Sequence, residues 1–132
     1  MYLYNKASDE LIKLNFPCTF GREKGELTFP DDDVVSTTHG KVYLEKKKYF
    51  IVDLDSTNGT YVNKNEITPN EPHEIEENDL IEFGELEFIF CLSPEVDIEK
   101  AEQIQKKKRK KSLLSSMIKG KKNELEEYKV KK

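Results

Sequence analysis

The stretch from Asp53 to Asn63, Asp-Leu-Asp-Ser-Thr-Asn-Gly-Thr-Tyr-Val-Asn, sets small hydroxyl and amide side chains between two apolar strand patterns. Tyr49 to Leu54 runs aromatic and β-branched, and Thr60 to Asn63 resumes the pattern, so Ser56 to Gly59 is predicted to be a tight turn. Asn58 and Gly59 are expected to supply its positive φ angles. Such a turn gathers hydroxyls, an amide and exposed backbone N–H groups, a donor set suited to an anion. Upstream, Gly21-Arg22 closes one strand pattern and Ser36-Thr-Thr-His39 opens another.

Other chemistries fit these residues less well. Ser36, His39 and Asp53 have the types of a hydrolase triad, but there is no Gly-x-Ser-x-Gly elbow. A calcium loop begun at Asp53 puts Asp55 and Thr57 at ligand positions, yet Asn58 stands where glycine is needed and Lys64 where a bidentate glutamate is needed. Gly21 and Gly25 are not followed by the Gly-Lys-Ser/Thr of a nucleotide loop. The two cysteines and two histidines lack metal-ligand spacing, so neither a metal nor a cofactor is expected.

A Gly-Arg pair, then Ser-x-x-His after a polar loop, then Ser-x-Asn-Gly-Thr closing a strand resembles the forkhead-associated (FHA) domain, a phosphothreonine-peptide binding module. The resemblance covers roughly residues 1 to 92 and implies a binding adaptor, not an enzyme. A phosphothreonine carries about −1.5 to −2 charges near neutrality, and Arg22 is the source of compensating charge, its planar fork able to hold two phosphate oxygens at once. By the same resemblance Ser36 offers its hydroxyl to the phosphate, Thr37 and Thr57 add donors at the rim, and Asn58 holds the peptide backbone. Gly21, His39 and Gly59 are then structural, with His39 bracing a loop. Thr37 stands where many members carry arginine, and Lys24 is placed to compensate from the rim. Val34, two residues before the motif serine, implies an apolar preference on the peptide.

The elements that must position these residues are short. Tyr2 to Tyr4, Leu11 to Asn15, Cys18 to Gly21, Leu27 to Phe29, Gly40 to Lys46, Lys48 to Leu54, Thr60 to Val62, Glu66-Ile67, His73 to Glu76, Leu80 to Phe83 and Leu86 to Leu92 read as strands, with turn residues between them. That many short strands predict an all-β sandwich of about 11 strands. On the strand Gly40 to Lys46, Val42 and Leu44 are expected to face inward. Cys18 and Cys91 lie in apolar patterns and read as small buried hydrophobes in a reducing compartment.

Charge divides the chain. Residues 1 to 92 carry 19 acidic and 9 basic side chains, a net of −10, whereas residues 93 to 132 carry 7 and 13, a net of +6. The predicted organisation is therefore a domain over 1–92 and a basic, partly helical or disordered tail over 93–132. Asp97 to Gln105 has helical spacing, Leu113, Leu114, Met117 and Ile118 form an apolar set, and Gly120 is a helix stop. Lys106, Lys107, Lys108, Arg109, Lys110 and Lys111 are six consecutive bases suited to an import receptor, to nucleic acid or to an anionic membrane surface. A tethering protein acting through that run, with the sandwich as scaffold, is the rival to the phosphothreonine reading. No stretch has the roughly 20 apolar residues of a membrane span, and the expectation is an intracellular monomer, nuclear in preference to cytoplasmic.

Overall fold

The computed structural model describes residues 1–120, with side chains through residue 110. In chain order its elements are β1 (Tyr2–Asn5), β2 (Glu10–Lys13), β3 (Cys18–Gly21), β4 (Leu27–Thr28), β5 (Gly40–Glu45), β6 (Lys48–Asp53), β7 (Thr60–Val62), β8 (Asn65–Glu66), β9 (His73–Ile75), β10 (Leu80–Phe83), β11 (Leu86–Cys91) and α1 (Ile98–Gly120). They make two sheets, one ordered β2-β1-β11-β10-β7-β8 and the other β4-β3-β5-β6-β9. The sandwich of short strands expected from the sequence is the architecture observed, and β3 with β4 is its one parallel pair among the described residues.

Inward side chains of both sheets form the core, Phe20, Val42, Ile51 and Ile75 from one and Leu3, Ile81, Phe83, Phe88 and Phe90 from the other. The Phe20 and Phe83 rings meet across the interface with centroids 4.4 Å apart, a pairing worth about 0.5–1.5 kcal/mol beyond area burial. Two hairpins turn sharply on residues other than glycine: Lys46 and Lys47 (φ 50° and 66°) join β5 to β6, and Asn63 and Lys64 (φ 50° and 70°) join β7 to β8. Paired positive φ angles suit the twist of the strands that such a turn connects. Leu44 departs from its expected inward place and is 47% exposed. It pairs with Tyr49 one position from the end of β5, next to the exposed Lys46-Lys47 hairpin tip.

Strand β11 is apolar on both faces for a reason visible in the packing. Phe88 and Phe90 enter the main core, while Ile89 and Cys91 join Tyr4 and Ala101 of α1 in a second cluster on the other side of the sheet. The helix begins where Asp97 caps it, its Oδ1 accepting from Lys100 N at 3.1 Å, and continues well past Gln105 to Gly120. Its docked stripe is Ala101, Gln105 and Lys108, spaced four and three apart. Gln105 Nε2 donates to Asn78 O at 2.8 Å, and Lys108 Nζ donates to Asp79 Oδ1 at 2.5 Å and Glu76 Oε1 at 3.3 Å. Cys18 and Cys91 are buried free thiols, burial pushing Cys91 up to about 11.

His39, fully buried, stands at the head of β5 with its ring centroid 5.9 Å from that of Phe20 and 5.3 Å from that of Phe83. Burial pushes the imidazole below its ordinary value, more than its bond to Gly59 and the nearby Asp53 and Asp32 charges raise it. In the unfolded chain the ring takes up a proton near pH 6.5. The unfolded state then binds more protons on the acid side, so stability falls as pH drops through that value. Denaturant melts between about pH 7.5 and 5.5 should show this loss, with a shallower slope in His39→Gln. Equal slopes in the two proteins would contradict the assignment.

Candidate functional site

Asp53 organises the turn that the sequence marks out. It closes β6 fully buried, and its Oδ1 accepts the hydroxyls of Ser56 at 2.5 Å and Thr60 at 2.7 Å while Oδ2 accepts Ser56 N at 3.0 Å. Ser56 Oγ in turn accepts Gly59 N at 3.0 Å. A carboxylate supplied with three donors tolerates burial that an unpaired one would not. The positive φ angles of this loop fall on Asp55 (57°) and Gly59 (86°), not on Asn58 as expected, and Asp55 lies inside the turn that Asp53 closes onto Ser56 N.

His39 connects that turn to the loop before β5. Its Nδ1 accepts Ser36 N at 3.1 Å, which leaves the proton on Nε2 to be donated to Gly59 O at 3.0 Å. The imidazole thus meets the backbone N–H of Ser36 and not its hydroxyl, so Ser36, His39 and Asp53 form no proton relay. Ser36 Oγ accepts Thr57 N at 2.9 Å, which uses one lone pair and leaves the O–H proton for an outside acceptor.

Arg22 arrives from the third loop. Its backbone N donates to Ser36 O at 2.8 Å, and Glu23 N and Lys24 N both donate to Thr37 O, at 3.3 and 3.0 Å. The two loops approach so closely that a Cβ on Gly21 would lie 2.2 Å from Thr37 O, which only glycine avoids. The guanidinium reaches Thr37 Oγ1 through Nη2 at 3.4 Å, and its Nε is buried without a hydrogen-bond partner among the described residues. Across the gap, exposed Asn58 donates Nδ2 to Val34 O at 3.0 Å, leaving its Oδ1 as an acceptor beside the site.

Arg22, Ser36, Thr37, Thr57 and Asn58 are therefore brought together from three loops, and Gly21, His39 and Gly59 form the frame behind them. The Lys24 side chain is exposed at the margin, and Val34 is half-buried with its carbonyl taken by Asn58. What sequence reasoning missed is the part played by Asp53 and Ser56. Their signal was an acid ending an apolar strand three residues before a serine, the spacing at which a carboxylate can meet that residue's N–H. Of the six consecutive bases, Lys106, Lys107 and Lys110 are exposed, Arg109 is half-buried and Lys108 is engaged by Asp79; the Lys111 side chain, the Leu113 to Ile118 side chains and residues 121–132 lie outside those described. Among the described residues, no helix is long and apolar enough to cross a membrane and no group of three or more His, Cys, Asp or Glu is placed to hold a metal.

The vertebrate E3 ubiquitin-protein ligase CHFR of Danio rerio is 34% identical over 77 residues, which cover 56% of this chain and only 12% of the ligase. Among solved structures, Mycobacterium tuberculosis EmbR in complex with a low-affinity phosphopeptide superposes with a TM-score of 0.65 at 26% identity, covering 73% of this chain and 25% of that one. A domain from a structural and functional analysis of phosphothreonine-dependent FHA domain interactions gives 0.61 at 26% identity, covering 71% and 97%. The family profile of the FHA domain matches residues 18–84, from the start of β3 to the β10–β11 turn and across all three site loops. The chain belongs to the forkhead-associated domain family.

Proposed function

We propose that this chain is a binding adaptor that recognises a phosphothreonine segment of a partner protein through Arg22, Ser36, Thr57 and Asn58. The observation that carries the reading is the buried, unpartnered Nε of Arg22 in the loop bonded to that of Ser36, whose hydroxyl proton is free. A phosphate dianion supplies three acceptor oxygens, enough for a guanidinium edge, the Ser36 hydroxyl and a rim donor from Thr37 or Thr57. Asn58, held to Val34, presents its Oδ1 to a peptide N–H and so fixes direction without adding charge. EmbR, solved with a phosphopeptide, and the domain described as phosphothreonine-dependent share this fold.

The net charge of −10 over residues 1–92 opposes an anionic ligand at long range, but screening confines distant charges to within about 8–10 Å at physiological salt. Close donors prevail over that background. Arg22→Ala should abolish binding of a phosphothreonine peptide in calorimetric titration without lowering the melting temperature, because a pocket arginine adds little to the core and its buried Nε has no partner among the described residues. Arg22→Lys keeps the charge and loses the planar fork, and should recover only part of the affinity. Unchanged binding by the alanine variant would sink the site assignment.

The family resemblance gives the threonine methyl an apolar recess. Replacing phosphothreonine by phosphoserine in the same peptide should weaken binding by about fourfold, the worth of one buried methyl, and by up to about 200-fold if the fit is tight. Equal affinity for the two would remove the recess from the account.

A further inference from the structure

The geometry points to a second recognition element beside the phosphate site: we infer that the groove between the loop after β4 and the β10–β11 turn takes a lysine or arginine side chain from the segment flanking the phosphothreonine, an assignment that rests on the phosphothreonine reading above. The groove holds about 420 Å3. Phe29 and Leu86, half-buried against the main core, and Pro30 give it apolar walls, and Asp31, Asp32 and Glu85 give it carboxylates. An aliphatic stem carrying a terminal cation matches both at once. A wholly apolar side chain would desolvate the carboxylates without compensating them, and an acidic one would be repelled.

The carboxylates have the right availability. Asp31 and Glu85 are exposed and take part in no ion pair among the described residues. Asp32 is fixed in place, its Oδ1 accepting Val34 N at 2.9 Å and its Oδ2 accepting Glu85 N at 2.8 Å. It thereby ties the β4–β5 loop to the β10–β11 turn, across the groove.

Continuity with the phosphate site follows from the same bonds. Val34, whose carbonyl holds Asn58 Nδ2, is two residues from Asp32, so their Cα atoms are at most about 7.6 Å apart. An extended peptide covers that distance in two to three residues. A segment resting beside Asn58 thus delivers a side chain to the groove from a position a few residues away from its phosphothreonine. The cation also offsets the repulsion between a doubly charged phosphate and a domain surface with a net charge of −10.

The test is a set of fluorescent phosphothreonine peptides with alanine flanks, in which each position up to about four residues on either side is replaced in turn by arginine. Fluorescence polarisation against the full chain and its Asp31→Asn/Glu85→Gln variant reads the ratio of arginine to alanine affinity at each position. Arginine at one or two neighbouring positions on one side should tighten binding by about three- to tenfold. In the variant that ratio should fall close to one, and in the unaltered chain it should shrink with added salt. No favoured position, or a ratio that persists in the variant, would overturn the groove assignment. Failure of the alanine-flanked phosphopeptide to bind would instead bring down the phosphothreonine reading and this assignment with it.

Discussion

A neutral imidazole enclosed between the two sheets holds the proposed phosphate site in shape. His39 has one nitrogen to accept and one to donate, and both are committed, to Ser36 N and to Gly59 O. Those partners lie in loops on either side of the β5–β6 hairpin, and the ring is the rigid spacer between them. Protonation would turn the accepting nitrogen into a second donor facing a backbone N–H, so the site exists only while the ring is uncharged. Burial against Phe20 and Phe83 ensures that it is, and this is how core packing reaches the functional loops.

Beyond that spacer the division of labour is plain. Asp53 spends its charge inside the protein, on Ser56 and Thr60, and shapes the turn that presents Thr57 and Asn58. Arg22 keeps its charge for the outside. A buried polar group without a partner costs about 1–3 kcal/mol, and a dianion relieves that cost on arrival, while hydroxyls already held by the frame lose little freedom in meeting it. The site is thus poised before ligand comes, at some expense to the stability of the free domain.

Much of this was legible in the residues, because strand alternation, turn formers and the spacing of Gly21-Arg22, Ser36 to His39 and Ser56 to Thr60 are local signals. The less legible parts depend on tertiary contact. The spacing within Asp97 to Gln105 marks a helix, but the stripe of α1 that docks is Ala101, Gln105 and Lys108, held largely by polar bonds that no apolar period reports. Lys108 looked like one more member of a solvated basic run, and only the placement of buried Asp79 shows otherwise. Leu44 obeys the alternation of its strand, yet stands beside an exposed hairpin tip, a tertiary circumstance that alternation does not report. The positive φ falls on Asp55, a residue type that enters the left-handed region more readily than most, within the turn that Asp53 closes onto Ser56.

The Arg22 guanidinium carries the proposed phosphate contact. Nuclear magnetic resonance of the isotopically labelled chain can follow the Arg22 Nε–H directly while a phosphothreonine peptide is added. That resonance should move strongly downfield and gain a scalar coupling to phosphorus, as a free donor becomes bonded to a phosphate oxygen. An Arg22 Nε–H that stays in place while peptide binding perturbs amides elsewhere on the sandwich would contradict phosphate capture by this guanidinium.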